Sequence, residues 1–139
     1  MYGSLDISTS ALVAQRTRMD VIAGNIANMY ATRDRDGAPS PYRRRVALLS
    51  SGNPRAGAGA VGVHVHSIIK DPSPFRKVFD PSHPDSIKSG PDKGYVLFPN
   101  VELTTEMINA MEAARAYEAN VTVMEITKTM AAGALRVMA

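Results

Sequence analysis

No cysteine occurs in this chain, which excludes disulfides and thiolate metal sites. Tryptophan is also missing, and aromatic residues are only 6% of the 139. The interior must therefore be assembled from Ala, Val, Leu and the eight methionines, a palette that suits close helix–helix packing better than a large globular core. No apolar run approaches the ~20 residues of a membrane span. The opening stretch, MYGSLDISTSALVAQRTRMD, lacks both the basic n-region and the compact apolar h-region of a Sec-type signal. The expectation is a cytoplasmic protein, or one that leaves by a route that does not read such a signal. Neither sign of charge dominates. The net +3 owes much to Arg43, Arg44 and Arg45, a surplus too small and local to argue for nucleic acid, and no aromatics interleave it.

With 45% hydrophobic residues the chain is not disordered by composition, and its length fits one domain. From about Leu5 to Met29 apolar residues recur at heptad spacing. Leu5, Leu12, Met19 and Ile26 form one row, Val13 lies beside it, and Ile22 and Met29 fall at the partner positions. Ser8, Thr9 and Ser10 weaken the beginning, so the helix is expected to start after Leu5. From Val101 to Ala139 the pattern is stronger: Met107, Ala114, Val121, Lys128 and Leu135 make one row, and Ala110, Tyr117, Met124, Ala131 and Met138 the other. Such a helix would be over ~50 Å long, more than an isolated domain of this size needs.

All nine prolines and most of the glycines lie between Gly37 and Pro99. There, RRVALLS and VGVHVHSII read as strands, and DPSPFRK and DPSHPDSIKSGPDKG as turn and loop. The fold class this predicts is α+β, mainly α. An N-terminal axial helix (1–32) and a C-terminal one (101–139) pair like a coiled coil, joined by a small loop-rich β insert (33–100).

Several motifs suggest chemistry and fail on context. GAGAVG, Gly57 to Gly62, matches the dinucleotide fingerprint, but a strand pattern follows it where the fingerprint needs a helix. His64 and His66 share a strand face and could bind metal with His83, yet no carboxylate stands at ligand spacing, so a solvated strand face is the better reading. Asn120-Val121-Thr122 is formally a glycosylation sequon, but it lies mid-helix on an expected buried seam. No nucleophile frame surrounds any serine or threonine. Arg43 and Arg45 are expected on one face of an edge strand, where they could meet phosphates or acidic neighbours. No catalytic, cofactor or metal residue is expected, and no enzyme.

The stretch NIANMYATRDRDG ends the first helix with two asparagines, poor helix formers, and then exposes charge. Asn25 and Asn28 are expected to point sideways and bond the backbone of the following loop or of a neighbouring subunit. The run MDVIAGNIANMYATRD resembles the N-terminal signature of the flagellar rod and hook axial family. GAPSPYRRR, FDPSHPDSIKSGPDKGYVLFPNV and EMINAMEAARAYEANVTVMEITKTM resemble further segments of its proximal-rod members, in the right order and over nearly the whole chain. The chain departs from that pattern at Met29–Arg33, where a Thr/Asn-rich loop start is usual, and at Arg136–Ala139, which lacks the usual polar tail.

The resemblance implies a structural subunit of the proximal rod in the flagellar basal body. It would assemble with itself and other rod proteins into a helical tube that carries torque from rotor to hook and forms part of the export channel wall. The neighbours implied are the rotor and export-apparatus base and the distal rod. Export would use the flagellar type III machinery without a Sec signal, and the rod crosses the periplasm. The expected assembly interface is Leu12, Met19, Ile22, Asn25, Ile26 and Asn28 on the first helix. On the last it is Met107, Ala114, Tyr117, Asn120, Val121, Met124 and Leu135. The alternatives are another axial protein, a coiled-coil substrate of a type III secretion system, and a nucleotide-binding enzyme resting on GAGAVG.

Overall fold

The computed structural model of the chain describes residues 2–52 and 61–138, so most of GAGAVG lies outside the described residues. Helix α1 spans Tyr2–Ala27 and α2 spans Leu103–Met138. Between them come β1 (Arg45–Ser51), β2 (Val63–Lys70), β3 (Arg76–Phe79) and β4 (Tyr95–Phe98). The expected plan, two long helices flanking a small β insert, is the observed one.

The serines and threonines near the start do not delay α1. The Thr9 hydroxyl donates to the Leu5 carbonyl at 2.8 Å and the Ser10 hydroxyl to the Ile7 carbonyl at 2.7 Å. Each polar side chain is thus satisfied on its own helix, which continues uninterrupted. No proline enters either helix. At ~1.5 Å per residue the 36 residues of α2 run roughly 54 Å.

The helices pack antiparallel, as two cross-ties show. Near the end of α1, Asn25 bonds Glu106 at the start of α2, and one helical stretch back Arg18 pairs with Glu112 at 3.1 Å. Carried to the start of α1, this register leaves roughly the last three turns of α2 with no α1 residue opposite.

The seam differs from the expected one. Its enclosed members are Ser8, Ala14, Ile22 and Asn25 on α1 and Glu106 and Ala113 on α2. The row of Ala110, Tyr117, Met124 and Ala131 is at least half-buried, as expected. Its companion is Glu106, Ala113, Asn120 and Thr127, one position before the row Met107, Ala114, Val121 and Lys128. Met107 is 54% and Leu135 64% exposed. Leu12, Met19 and Ile26 lie half-buried along the flank of α1. Small side chains let helix axes approach closely, and the bulkier row would hold them apart. The pair therefore encloses mainly small and polar residues, with Ile22 among them, and turns Met107 and Leu135 outward.

Two antiparallel ribbons make up the insert, β1 with β2 and β3 with β4. The first has a bulge between Leu48 and Leu49 and sets Arg45 directly opposite Lys70. It rests on α1 where the Val63 amide donates to the Ser10 hydroxyl at 3.0 Å. Gly62 makes this approach possible: its φ is +126°, and a Cβ there would sit 2.8 Å from Ser10 Oγ. The second ribbon corrects the expectation that DPSPFRK is all loop, because Arg76 and Lys77 belong to β3. Val96 of β4 is wholly enclosed.

Candidate functional site

The helix ends of the pair meet at one side chain. Asn25, 1% exposed, uses its full hydrogen-bonding capacity. Its Nδ2 donates to the Arg45 carbonyl at 2.8 Å and to Glu106 Oε2 at 2.9 Å. Its Oδ1 accepts from the Arg45 amide at 2.9 Å and from the Tyr42 hydroxyl at 3.0 Å. The carboxamide thereby pairs with both backbone groups of Arg45, as a neighbouring strand would, and ties β1 to the end of α1. Burial raises the pKa of the Tyr42 phenol, so it keeps the proton it donates.

Glu106 is wholly buried. A buried carboxylate is costly unless paired and fully hydrogen-bonded. Here Oε2 takes the Asn25 amide while Oε1 takes Arg44 Nε at 2.8 Å and Nη2 at 2.7 Å. Arg44 reaches onward to Asp71 at 3.2 Å, and its backbone amide donates to Asn100 Oδ1 at 2.9 Å. The Ser73 hydroxyl and amide, helped by Arg44, hold the Asp71 carboxyl below its ordinary pKa. One network thus joins α1, the segment before β1, the turn after β2 and the first turn of α2.

The rest of the NIAN stretch behaves differently. Asn28 Nδ2 donates to the Gly24 carbonyl of its own helix at 2.8 Å, and so caps α1 rather than reaching into the loop. Beyond it, Arg33 and Thr32 both bond Asp85, with the Arg33–Asp85 ion pair at 2.7 Å and the Thr32 hydroxyl at 2.8 Å. The carboxyl, its side chain 6% exposed, is lowered in pKa by the Arg33 and Thr32 hydrogen bonds. Asp34, Arg35 and Asp36 form an exposed turn closed by Gly37, whose amide donates to the Asp34 carbonyl at 2.9 Å with φ +76°. The charge after the helix is therefore half anchor and half turn tip.

Of the expected interface residues, Ile22 and Asn25 are enclosed within the chain itself. Leu12, Met19, Ile26, Asn28, Ala114, Tyr117, Asn120, Val121 and Met124 are half-buried, and Met107 and Leu135 are exposed. Sequence reasoning missed Glu106, Arg44, Asp71 and Asp85 as site residues. A signal existed for the first, since a carboxylate one place from an apolar heptad row demands a buried cation. Nothing local identifies that cation as Arg44, 62 residues away.

The arginine triplet does not alternate along an edge strand, because β1 begins only at Arg45. Arg44 turns inward, Arg43 stacks over Phe75 at 4.3 Å, and Arg45 lies over Tyr42 at 5.6 Å. His64 and His66 sit on β2 with ring centroids 6.4 Å apart, while His83 packs on Phe98 of β4 at 6.1 Å. Among the described residues no group of three or more His, Cys, Asp or Glu could hold a metal ion. The amide of Asn120 donates to the Ala116 carbonyl at 2.7 Å. No helix among the described residues is long and apolar enough to cross a membrane.

Both helices of this pair match models of known protein families. The model described as "Flagella basal body rod protein" matches residues 5–32, which hold Asn25. The model described as "Flagellar basal body rod FlgEFG protein C-terminal" matches residues 92–137, which hold Glu106. The helix pair is thus of the flagellar basal-body rod class. Among full-length relatives, the flagellar basal-body rod protein FlgC of Borreliella burgdorferi is 42% identical over 99% of this chain and 97% of its own. FlgC of Bacillus subtilis is 40% identical over 98% and 97%, and FlgC of Yersinia enterocolitica 43% identical over 90% and 88%. The chain belongs to the FlgC family of flagellar basal-body rod proteins.

Proposed function

We propose that this chain, as a structural subunit of the rod, works in its proximal part by packing its outward apolar rows against neighbouring rod subunits. The observation that carries this is the inversion of the helix pair: the seam is closed by Ser8, Ala14 and Ala113, while Val13, Met107, Val123 and Met130 are at least half exposed. Apolar surface left in water by one chain is removed from water when copies or related rod proteins pack alongside. Contacts between unlike faces that do not close into a ring generate a helical tube. In that tube Leu12, Met19, Ile26, Met107, Ala114, Val121, Met124 and Leu135 meet neighbours, while Ile22 and Asn25 hold the faces in place from within. The tube carries torque from rotor to hook across the periplasm and forms part of the export channel wall. Its neighbours are the export-apparatus base and the distal rod. The chain reaches this position through the flagellar type III machinery, and its role is structural rather than catalytic.

The test is complementation of a bacterium lacking its own FlgC, with isolated basal bodies imaged. Rods that assemble and contain the labelled chain are the expected result. Basal bodies that stop before the rod, with the chain stably expressed, would overturn the reading.

A further inference from the structure

Beside the Asn25 joint lies an open cleft of about 700 Å³ at the end of α1. Arg33, Arg35, Arg43, Arg45 and Lys70 line it, against a single carboxylate, Asp34. Arg33 is neutralised from behind by Asp85. For Arg43, Arg45 and Lys70 no ion pair exists among the described residues. Arg43 meets only carbonyls and the Phe75 ring. Arg45 and Lys70 stand directly opposite each other across β1 and β2. Like charges so placed repel and destabilise the ribbon unless an anion sits between them. Tyr42, Phe75 and Pro41 add an apolar wall. The cleft is therefore shaped for a carboxylate carried on an apolar surface.

The same chain presents such a surface elsewhere. Glu118 and Glu125 of α2 are exposed, one heptad apart on one helix face, and without an ion pair among the described residues. At ~100° per residue they share a flank with Met107 and Val121. They cannot fill their own cleft: Glu118 lies roughly 18 Å and Glu125 roughly 28 Å along α2 from Glu106, which is anchored beside it.

We propose that the basic cleft of one copy receives the Glu118–Glu125 edge of α2 from a second copy. The inference rests on the rod reading in that it supplies one of its subunit contacts. The two surfaces lie at different places on the molecule, so the contact is head-to-tail and leaves a free cleft and a free edge at the ends of any chain of copies.

Because the natural chain has no cysteine, the contact can be trapped cleanly. Two purified variants, Lys70→Cys and Glu125→Cys, are mixed and oxidised, with helix content checked by circular dichroism. Disulfide-linked heterodimer is expected in excess of both homodimers, falling towards the statistical share in high salt, which screens the pairing, or when Arg45→Glu is added to the first variant. Adding Glu118→Lys to the second should lower it equally. A statistical mixture of dimers at low salt would overturn the proposal, as would a heterodimer excess indifferent to salt and to both charge reversals. The rod reading is tested separately by whether the unaltered chain completes rods, so either can fail while the other stands.

Discussion

Replacing Asn25 by Ala removes four hydrogen bonds at once: two to Arg45 backbone, one to Glu106 and one from Tyr42. Water can reach some of the stranded partners, since Arg45 is exposed and Tyr42 half-buried. The Glu106 carboxylate stays enclosed, and stranding it costs about 1–3 kcal/mol. The lost bonds to Arg45 and Tyr42, whose groups water can reach, add about 1–3 kcal/mol together, for a total of roughly 2–6 kcal/mol. The better helix propensity of alanine returns only about 0.5–0.7 kcal/mol, leaving a net loss of roughly 1.3–5.5 kcal/mol. Against the ~5–15 kcal/mol that holds a typical domain together, that is a large share. For a chain of this size about 1 kcal/mol moves the melting temperature by roughly 3–5 °C, so a drop of at least about 4 °C is expected. The control is Asn28→Ala, just past the end of α1, which loses one part-buried bond to the Gly24 carbonyl and should cost no more than about 1 kcal/mol. Thermal unfolding followed at far-ultraviolet wavelengths compares the two. If both variants melt with the parent, or both fall by the same amount, the joint does not hold the helix ends as described.

Three further outcomes are expected. Asp71, Asp80 and Asp85 all have lowered pKa values, held down chiefly by Ser73, by Ser82 and by Arg33 respectively. The unfolded chain therefore takes up protons first as the pH falls. Their stabilisation is complete above the ordinary carboxylate range and is lost as pH drops below about 4 through the folded values. Urea midpoints measured down that range should fall on the acid side, and Asp85→Asn should make the fall shallower. Gly94→Ala places a Cβ 2.8 Å from the Phe79 ring at φ +84° and should destabilise, whereas Gly133→Ala, with nothing within 4 Å in α2, should stabilise by about 0.5–1 kcal/mol. Val121→Asp should stop rod completion by setting a charge into the outward apolar row. Lys77→Ala, which breaks only an exposed pair with Asp92, should leave swimming-plate diameter nearly unchanged; equal diameters would remove Val121 from the interface.

The helix pair and its insert were legible because long amphipathic periodicity survives any detail of packing. The seam was legible only in part. Periodicity locates a stripe to within one position, and hydrophobicity then favours Met107 over Glu106, although closeness of approach favours the row holding Ala113 and the buried ion pair accommodates Glu106. β3 and β4 escaped notice because each has only four residues, β3 begins with the charged Arg76 and Lys77, and a stretch of turn and loop separates the two. Asn25 stood out as a misfit in a helix, but its partners come from residues 20 and 81 positions away, which no local pattern encodes.

Those separations also order the events of folding. The ties between α1 and α2 span 81 and 94 residues, whereas Phe79 and Tyr95 of the second ribbon are near neighbours by comparison. Closing a long loop costs chain entropy before any contact repays it, so pairings between distant residues form slowly. The helices, usually the quick elements of a protein, are here expected to find each other last, after the ribbons have formed. Stopped-flow refolding should accordingly show Asn25→Ala slowing little and unfolding much faster, the signature of a contact absent from the transition state.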